Sequence, residues 1–296
     1  MAILRPAPPS PESKRTLEAF KQGLREHDYV EGQNVAVDFR YPIDHADRLS
    51  DIAADLVQRK PDVMFAVASS GVDAVRRATA TIPIVALDLE TDPLASGIVT
   101  SLARPGRNVT GIFLDFPELG GKWLELLKAV TPRLSRVAVI WDPATGRVPL
   151  NGAEAAAPAM RLQLQVLEAR GPSDFEDVVR AAVRAHAGAI LVMASPVFNT
   201  YRRLFVDLAG KHRLPALMPF ALFVEDGGLI AYGPDIIELY RQCGAMVGKV
   251  LKGARPQILA VERPNRFVLA VNKRTAKALG LTIPPSVLAR ADQVIE

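Results

Sequence analysis

The chain has few of the features that mark disulfide-bonded, metal-clustered or membrane-spanning proteins. Among its 296 residues only Cys243 is a cysteine, so no intramolecular disulfide and no cysteine-based metal cluster can form. Its apolar runs, such as IPIVAL and AILVMA, are about six residues long, whereas a helix that crosses a bilayer needs roughly 20. These absences predict a soluble chain without metal or cofactor.

Clustered positive charge is also missing. The chain carries 36 Lys and Arg against 32 Asp and Glu, and the basic residues are scattered over its whole length. A nucleic-acid-binding surface calls for a basic patch or stripe. The sequence therefore predicts no nucleic-acid partner.

The short motifs of common enzymes are absent as well. The sequence contains no G-x-G-x-x-G or G-x-x-x-x-G-K-[ST] phosphate loop, no H-E-x-x-H and no G-x-S-x-G nucleophile turn. The histidines lie in polar or helical surroundings without a second ligand at metal spacing, at His27, His45, His186 and His212. We therefore predict no catalytic residues and no metal site.

What the sequence does contain is a regular alternation of strand and helix patterns. Short β-branched runs such as VMFAV, IPIVALDL and RVAVIW alternate with helical patterns such as RLSDIAADLVQRK and GKWLELLKAV. This alternation predicts an α/β fold of two doubly wound parallel-sheet lobes joined by a hinge.

The rhythm restarts after GIFLDF, which gives the predicted lobe boundaries. We assign residues 1–115 and 234–272 to the N-terminal lobe and residues 116–233 to the C-terminal lobe. Residues 273–296 form a segment near the hinge that the pattern assigns to neither lobe. The helix DIIELYRQCGAMVGKVLKG is expected to return to the first lobe.

The carboxyl ends of the strands carry the candidate ligand-binding residues. In open α/β sheets ligands lie beyond these ends, where helix N-termini offer free N–H groups. Ser69, Ser70 and Gly71 follow one strand and open a helix, a pattern that suits a ligand carboxylate or phosphate. Capping of the helix by Ser69 or Ser70 explains the same residues, and both interpretations stay open.

Acidic residues at two further strand ends suit a ligand ammonium group. Asp115 precedes Pro117 and a helix. It either binds the ammonium group of the ligand or serves the protein itself, as the N-cap of that helix or as a hinge contact. Asp88 and Glu90, in LDLETDP, are the reserve partners. A zwitterionic ligand would use both groups of residues, with its ammonium group at these acids and its carboxylate at the start of the helix at Ser69.

The second lobe contributes the remaining candidates. Asp142 in WDPATG and Ser195 in ASPVFNT end strands, and each is either a ligand contact or a turn-forming residue before proline. Aromatic side chains there serve either the ligand or the core, and Trp123 and Trp141 are expected in the core. The other predicted contacts of the chain are Ser10, Phe116, Asn199, Phe220 and Tyr232, with Phe198 weighed beside them.

Four longer segments resemble a known family. SLARPGRNVTGI, HDYVEGQNVAVDFRY, LTIPPSVLARADQVIE and GGLIAYGPD are similar, each in its place along the chain, to motifs of the ABC-transporter substrate-binding protein family that includes tryptophan-binding members. The resemblance implies a type I periplasmic-binding-protein architecture, in which two α/β lobes close over a small solute. It also implies delivery of that solute to an ABC permease at the membrane.

Together these observations predict a monomeric solute-binding protein for an amino acid, aromatic or not, or a related carboxylate. An enzyme that uses the cleft between the lobes and the sensor lobes of a regulator are the alternatives. Family members usually carry an export signal or a lipoprotein cysteine before the first strand, whereas this sequence opens on MAILRPAPPSP. We expect the native gene to encode a signal upstream and the protein to work in the periplasm.

Overall fold

A computed structural model describes residues 1–8, 13–42, 48–114 and 117–296, without the side chains of 117 and 118. The chain divides into two compact units, each built from two stretches of sequence. The first comprises Met1–Asp115 and Ile236–Pro264, and the second comprises Phe116–Asp235 and Asn265–Glu296. Each unit holds its own sheet with helices around it, so the predicted class of two α/β lobes is confirmed.

The first unit has a five-stranded parallel sheet in its described residues, in the order β2-β1-β3-β4-β5. Its strands are β1 (Ala2–Leu4), β2 (Asp38–Arg40), β3 (Met64–Val67), β4 (Ile84–Asp88) and β5 (Val109–Phe113). Its helices are α1 (Lys14–Arg25), α2 (Leu49–Gln58), α3 (Ala68–Ala78) and, much later in the chain, α10 (Ile236–Leu251).

The central strands of this sheet are apolar along their whole length because helices cover both faces. Every residue of β3 and β4 is buried, as in parallel sheets generally. Alternate residues such as Leu4 and Ala66 pack with α2 and α3. On α1 Phe20 stacks on Phe65 with ring centroids 4.6 Å apart, and Tyr240 of α10 meets the edge of the same ring. The predicted return of the late helix to the first unit is confirmed.

The second unit has a seven-stranded sheet in its described part, in the order β12-β11-β10-β9-β8-β6-β7. Its strands are β6 (Arg136–Trp141), β7 (Gln163–Glu168), β8 (Ala189–Val192), β9 (Ala216–Met218), β10 (Ile230–Pro234), β11 (Phe267–Asn272) and β12 (Gln293–Ile295). Its helices are α4 (Pro117–Val130), α5 (Val148–Ala156), α6 (Pro172–Arg184), α7 (Pro196–Thr200), α8 (Arg202–Lys211), α9 (Ala221–Glu225), α11 (Lys273–Ala278) and α12 (Pro285–Leu288).

Strand β11 departs from the sequence prediction in two ways. It pairs antiparallel with β10, from Ile230 opposite Val271 to Pro234 opposite Phe267, so the second sheet is not parallel throughout. This pairing also places residues 265–272 in the second unit, whereas the pattern had assigned them to the first lobe. The tail joins the same unit, because β12 pairs parallel with β11. Within the described residues no helix has the length and apolarity of a membrane span.

Candidate ligand-binding residues

At the carboxyl edge of the first sheet, the N-terminus of α3 is already in contact with a carboxylate of the protein. The N–H of Ser69 donates to Oε2 of Glu90 at 3.1 Å. Glu90 is only 5% exposed, while Ser69 and Ser70 are half-buried. The residue before the helix is Val67, which offers no capping side chain, so the interpretation of Ser69 or Ser70 as the cap is wrong. Both serines lie inside the first turn.

The passage from β3 into α3 is tight. Ala68 opens the helix with a φ of 64°, a left-handed conformation that is uncommon for a residue with a side chain. A Cβ on Gly71 would lie 3.6 Å from the carbonyl oxygen of Leu4, which is ordinary contact. The start of α3 is therefore held close against the end of β1.

Asp88 ends β4 and is fully buried. Its Oδ1 accepts the N–H of Glu90 at 3.0 Å, whereas its Oδ2 has no hydrogen-bond partner within the described residues. Burial raises the pKa of Asp88 to about 6, and the hydrogen bonds from Glu90 oppose that rise. Asp88 is thus buried with one carboxylate oxygen that makes no hydrogen bond within the described residues.

Arg5 is a buried charge that sequence reasoning missed. It follows β1 directly, is 3% exposed, and donates its backbone N–H to Arg40 O at 3.1 Å. Its Nε has no partner in the part of the chain that the structure describes. Burial raises the pKa of Tyr240. The positive charge of Arg5 lowers this pKa, and the negative charge of Glu90 raises it. Arg5 and Glu90 therefore both lie within electrostatic reach of the same phenol.

The strand register brings these charges to one edge. Leu4 pairs with Ala66 and Val67 pairs with Leu87. Arg5, which follows β1, and Asp88, which ends β4, therefore flank the end of β3. Neighbouring strands lie about 4.8 Å apart. A signal for Arg5 was present in AILRP, where a basic residue directly follows an apolar strand.

In the second unit, Asp142 and Ser195 bind each other. Strands β6 and β8 are neighbours, and Ser195 Oγ donates to Asp142 Oδ2 at 2.6 Å. Asp142 Oδ1 accepts the N–H of Ala144 at 2.9 Å, and Ser195 Oγ accepts the N–H of Val197 at 3.1 Å. Burial raises the pKa of Asp142, an effect that the bond from Ser195 opposes. Both side chains thus act as turn-forming residues before proline, one of the two roles that the sequence predicted. A ligand role for them stays a prediction.

Asn199 is a candidate ligand contact of this unit with an unused hydrogen-bond acceptor. It lies on α7, is 8% exposed, and its Oδ1 has no partner among the described residues. Phe220 is 5% exposed and precedes α9. Tyr232 is half-buried on β10 and stacks on Phe267 with ring centroids 6.1 Å apart. Each keeps its predicted ligand role as a prediction.

Phe198, Trp123 and Trp141 belong to the core. Phe198 packs edge-on against Phe175 and Phe205, with centroids 5.5 and 5.2 Å away. Trp123 is fully buried and donates Nε1 to Tyr232 O at 2.7 Å. Trp141 is 8% exposed, so the core assignment of both tryptophans is confirmed.

Three predicted contacts lie outside the described residues, namely Ser10, Asp115 and Phe116. Their roles stay predictions. Among the residues that are described, no group of three His, Cys, Asp or Glu side chains is arranged to hold a metal ion.

Comparison with known proteins places the chain among two-lobed binding proteins. A family model described as ABC transporter substrate binding protein matches residues 9–295. The chain is 26% identical over 274 residues to the tyrosine-binding protein of Clostridioides difficile strain R20291, covering 92% of this chain and 78% of that protein.

Two solved structures have the same fold over nearly the whole chain. One is a conserved domain protein from Vibrio cholerae, with a TM-score of 0.88, 26% identity, and 99% of this chain and 98% of that one covered. The other is an ABC domain from Streptococcus pneumonia in complex with L-Trp, with a TM-score of 0.87, 24% identity and the same coverage.

Proposed function

The chain belongs to the ABC transporter substrate-binding protein family, and from that membership we propose that it binds a free amino acid, aromatic in the first instance. Proteins of this family bind small molecules and deliver them to ABC permeases, and they are not enzymes. The aromatic preference is proposed because the relative from Clostridioides difficile is a tyrosine-binding protein.

One observation carries the amino-acid proposal, namely buried charges of both signs at one edge of the first sheet. Arg5 offers an unpartnered Nε, and Asp88 offers an unpartnered Oδ2 within the described residues. A buried polar group without a partner costs free energy that a complementary ligand restores. A zwitterion carries the carboxylate and the ammonium group that such an edge can satisfy together.

The cellular setting follows from the same family. Its members are generally extracellular or periplasmic. We propose a periplasmic monomer that exchanges its ligand with a membrane permease and has no nucleic-acid partner.

A thermal-shift screen tests the proposal. The panel contains L-tyrosine, L-tryptophan, L-leucine, L-glutamate, benzoate and D-ribose, and hits are measured again by calorimetric titration. A ligand present at 100 times its Kd stabilises the native state by about 2.7 kcal/mol, so L-tyrosine or L-tryptophan is expected to raise Tm by several degrees. If D-ribose binds and no amino acid does, the amino-acid proposal is wrong.

A further inference from the structure

The N-terminus of α3 is a poor place for a ligand carboxylate in this protein. That helix end was the predicted anion site, but Glu90 Oε2 already accepts the N–H of Ser69 at 3.1 Å. A ligand carboxylate at the same N–H groups would stand beside the buried Glu90 and Asp88, and like charges in a buried setting repel strongly.

The buried arginines of the two units differ in how they are paired. In the second unit Arg202 Nε lies 2.7 Å from Asp226 Oδ2, so that guanidinium has a carboxylate partner. In the first unit no ion pair joins Arg5 to another described residue, and its Nε is unpartnered although the residue is 3% exposed. A buried guanidinium is costly unless a carboxylate or several acceptors face it.

We propose that Arg5 binds the carboxylate of the ligand and thereby selects amino acids over the corresponding amines. The ligand's ammonium group then lies on the side of Asp88 and Glu90. This inference rests on the proposed function and assigns a polarity to the bound zwitterion within the first unit. The planar guanidinium fork matches a carboxylate in two parallel hydrogen bonds, which a lysine does not reproduce.

A different role for Arg5 makes a different prediction. If its charge only offsets Glu90 and Asp88 inside the fold, substitution lowers stability and weakens every ligand alike. If it binds the carboxylate, substitution affects only ligands that carry one. The comparison of an amino acid with its decarboxylated amine separates the two roles.

The experiment measures L-tyrosine and tyramine by calorimetric titration on wild type, Arg5→Gln, Arg5→Lys and Arg40→Gln. L-tryptophan and tryptamine replace them if tryptophan is the ligand that binds. Arg40→Gln is the matched control, because Arg40 lies on the neighbouring strand and its Nε is paired with Asp38 Oδ1 at 2.7 Å. Melting temperatures of all four proteins report folding.

We expect Arg5→Gln to lower the affinity for L-tyrosine by about 100-fold or more, as for the loss of one partner of a buried charge pair. Tyramine affinity is expected to stay within about threefold of wild type, and Arg5→Lys is expected to fall between. Equal losses for the two ligands, or no loss for L-tyrosine, overturn the inference.

Two further outcomes keep the test decisive. If Arg5→Gln does not fold, wild type is titrated with L-tyrosine amide, which lacks the negative charge, and an affinity equal to that of L-tyrosine overturns the role of Arg5. If wild type binds no amino acid of the screening panel, the proposed function itself fails, a result distinct from amino-acid binding that ignores Arg5.

Discussion

The contact between α1 and α10 leads to a prediction that runs against helix propensity. Gly244 lies within α10, and a Cβ built on it would be 2.0 Å from the carbonyl oxygen of Phe20 and 3.2 Å from Cα of Gly23. Alanine is the better helix former by about 1 kcal/mol. We nevertheless expect Gly244→Ala to destabilise the first unit, because a backbone oxygen cannot rotate away.

The size of the effect follows from the geometry. The two helices must separate by more than an ångström at their crossing, which loosens the packing of Phe20, Leu24 and Val247, all buried. Overpacking costs typically about 1–3 kcal/mol, occasionally more, and a backbone clash this short belongs at the upper end. After the gain in propensity we expect a net loss of about 2 kcal/mol. For a unit of this size that corresponds to roughly 4–8 °C in Tm.

Gly210→Ala is the matched control. Gly210 lies within α8, and a Cβ there would meet no atom within 4 Å. The same substitution is therefore expected to stabilise the second unit by up to about 1 kcal/mol. Urea unfolding followed by circular dichroism measures both variants. If Gly244→Ala proves as stable as wild type, the close crossing of α1 and α10 is wrong.

Three more predictions concern individual side chains. Ser195→Ala removes the cap of α7 and leaves Asp142 without its hydrogen-bond donor, so urea unfolding is expected to show a free energy of unfolding lower by about 2–3 kcal/mol. Ser195→Thr keeps the hydroxyl group and is expected to retain most of the wild-type stability. The pKa of Asp88 is raised from 3.8 to about 6 in the fold, so the unfolded state binds fewer protons between these values, and the free energy of unfolding falls by roughly 2–3 kcal/mol as the pH rises from 4 to 7. Unfolding curves at pH 4 and 7 are expected to lose this difference in Asp88→Asn, and a retained difference assigns it to another group. The thiol of Cys243 is fully buried and burial raises its pKa, so an aromatic disulfide reagent is expected to label it only under denaturing conditions, and rapid labelling of the native protein contradicts its position.

Much of the fold was predictable because buried parallel strands leave a strong local signal. Strands such as Met64–Val67 and Ile84–Asp88 are apolar on both faces, and the runs stand out between helical patterns. Strand Phe267–Asn272 was misplaced for a physical reason. Its partner, Ile230–Pro234, is separated from it by α10 and a loop in the other unit, so no turn signal links the two.

The candidate site was predictable only in outline. Strand-end position identified Ser69, Asp88 and Glu90, which the structure brings together at one edge. Sequence position could not reveal that Glu90 rather than a ligand meets Ser69, because their contact joins residues 21 apart in sequence. Arg5 was missed since its burial depends on neighbours that come later in the chain. Closure of the lobes over a ligand stays a prediction.

The division of each unit into two separate stretches also has a consequence for biosynthesis. All five strands of the first sheet have been synthesised once Phe113 has emerged, but α10, which covers β4 and β5, ends only at Leu251. At about 5–20 residues per second the ribosome needs roughly 7–28 s for that interval. During this time an apolar sheet face is exposed on the nascent chain. The first unit therefore cannot finish folding before most of the second has been made, and a holdase that binds this face has its longest opportunity there.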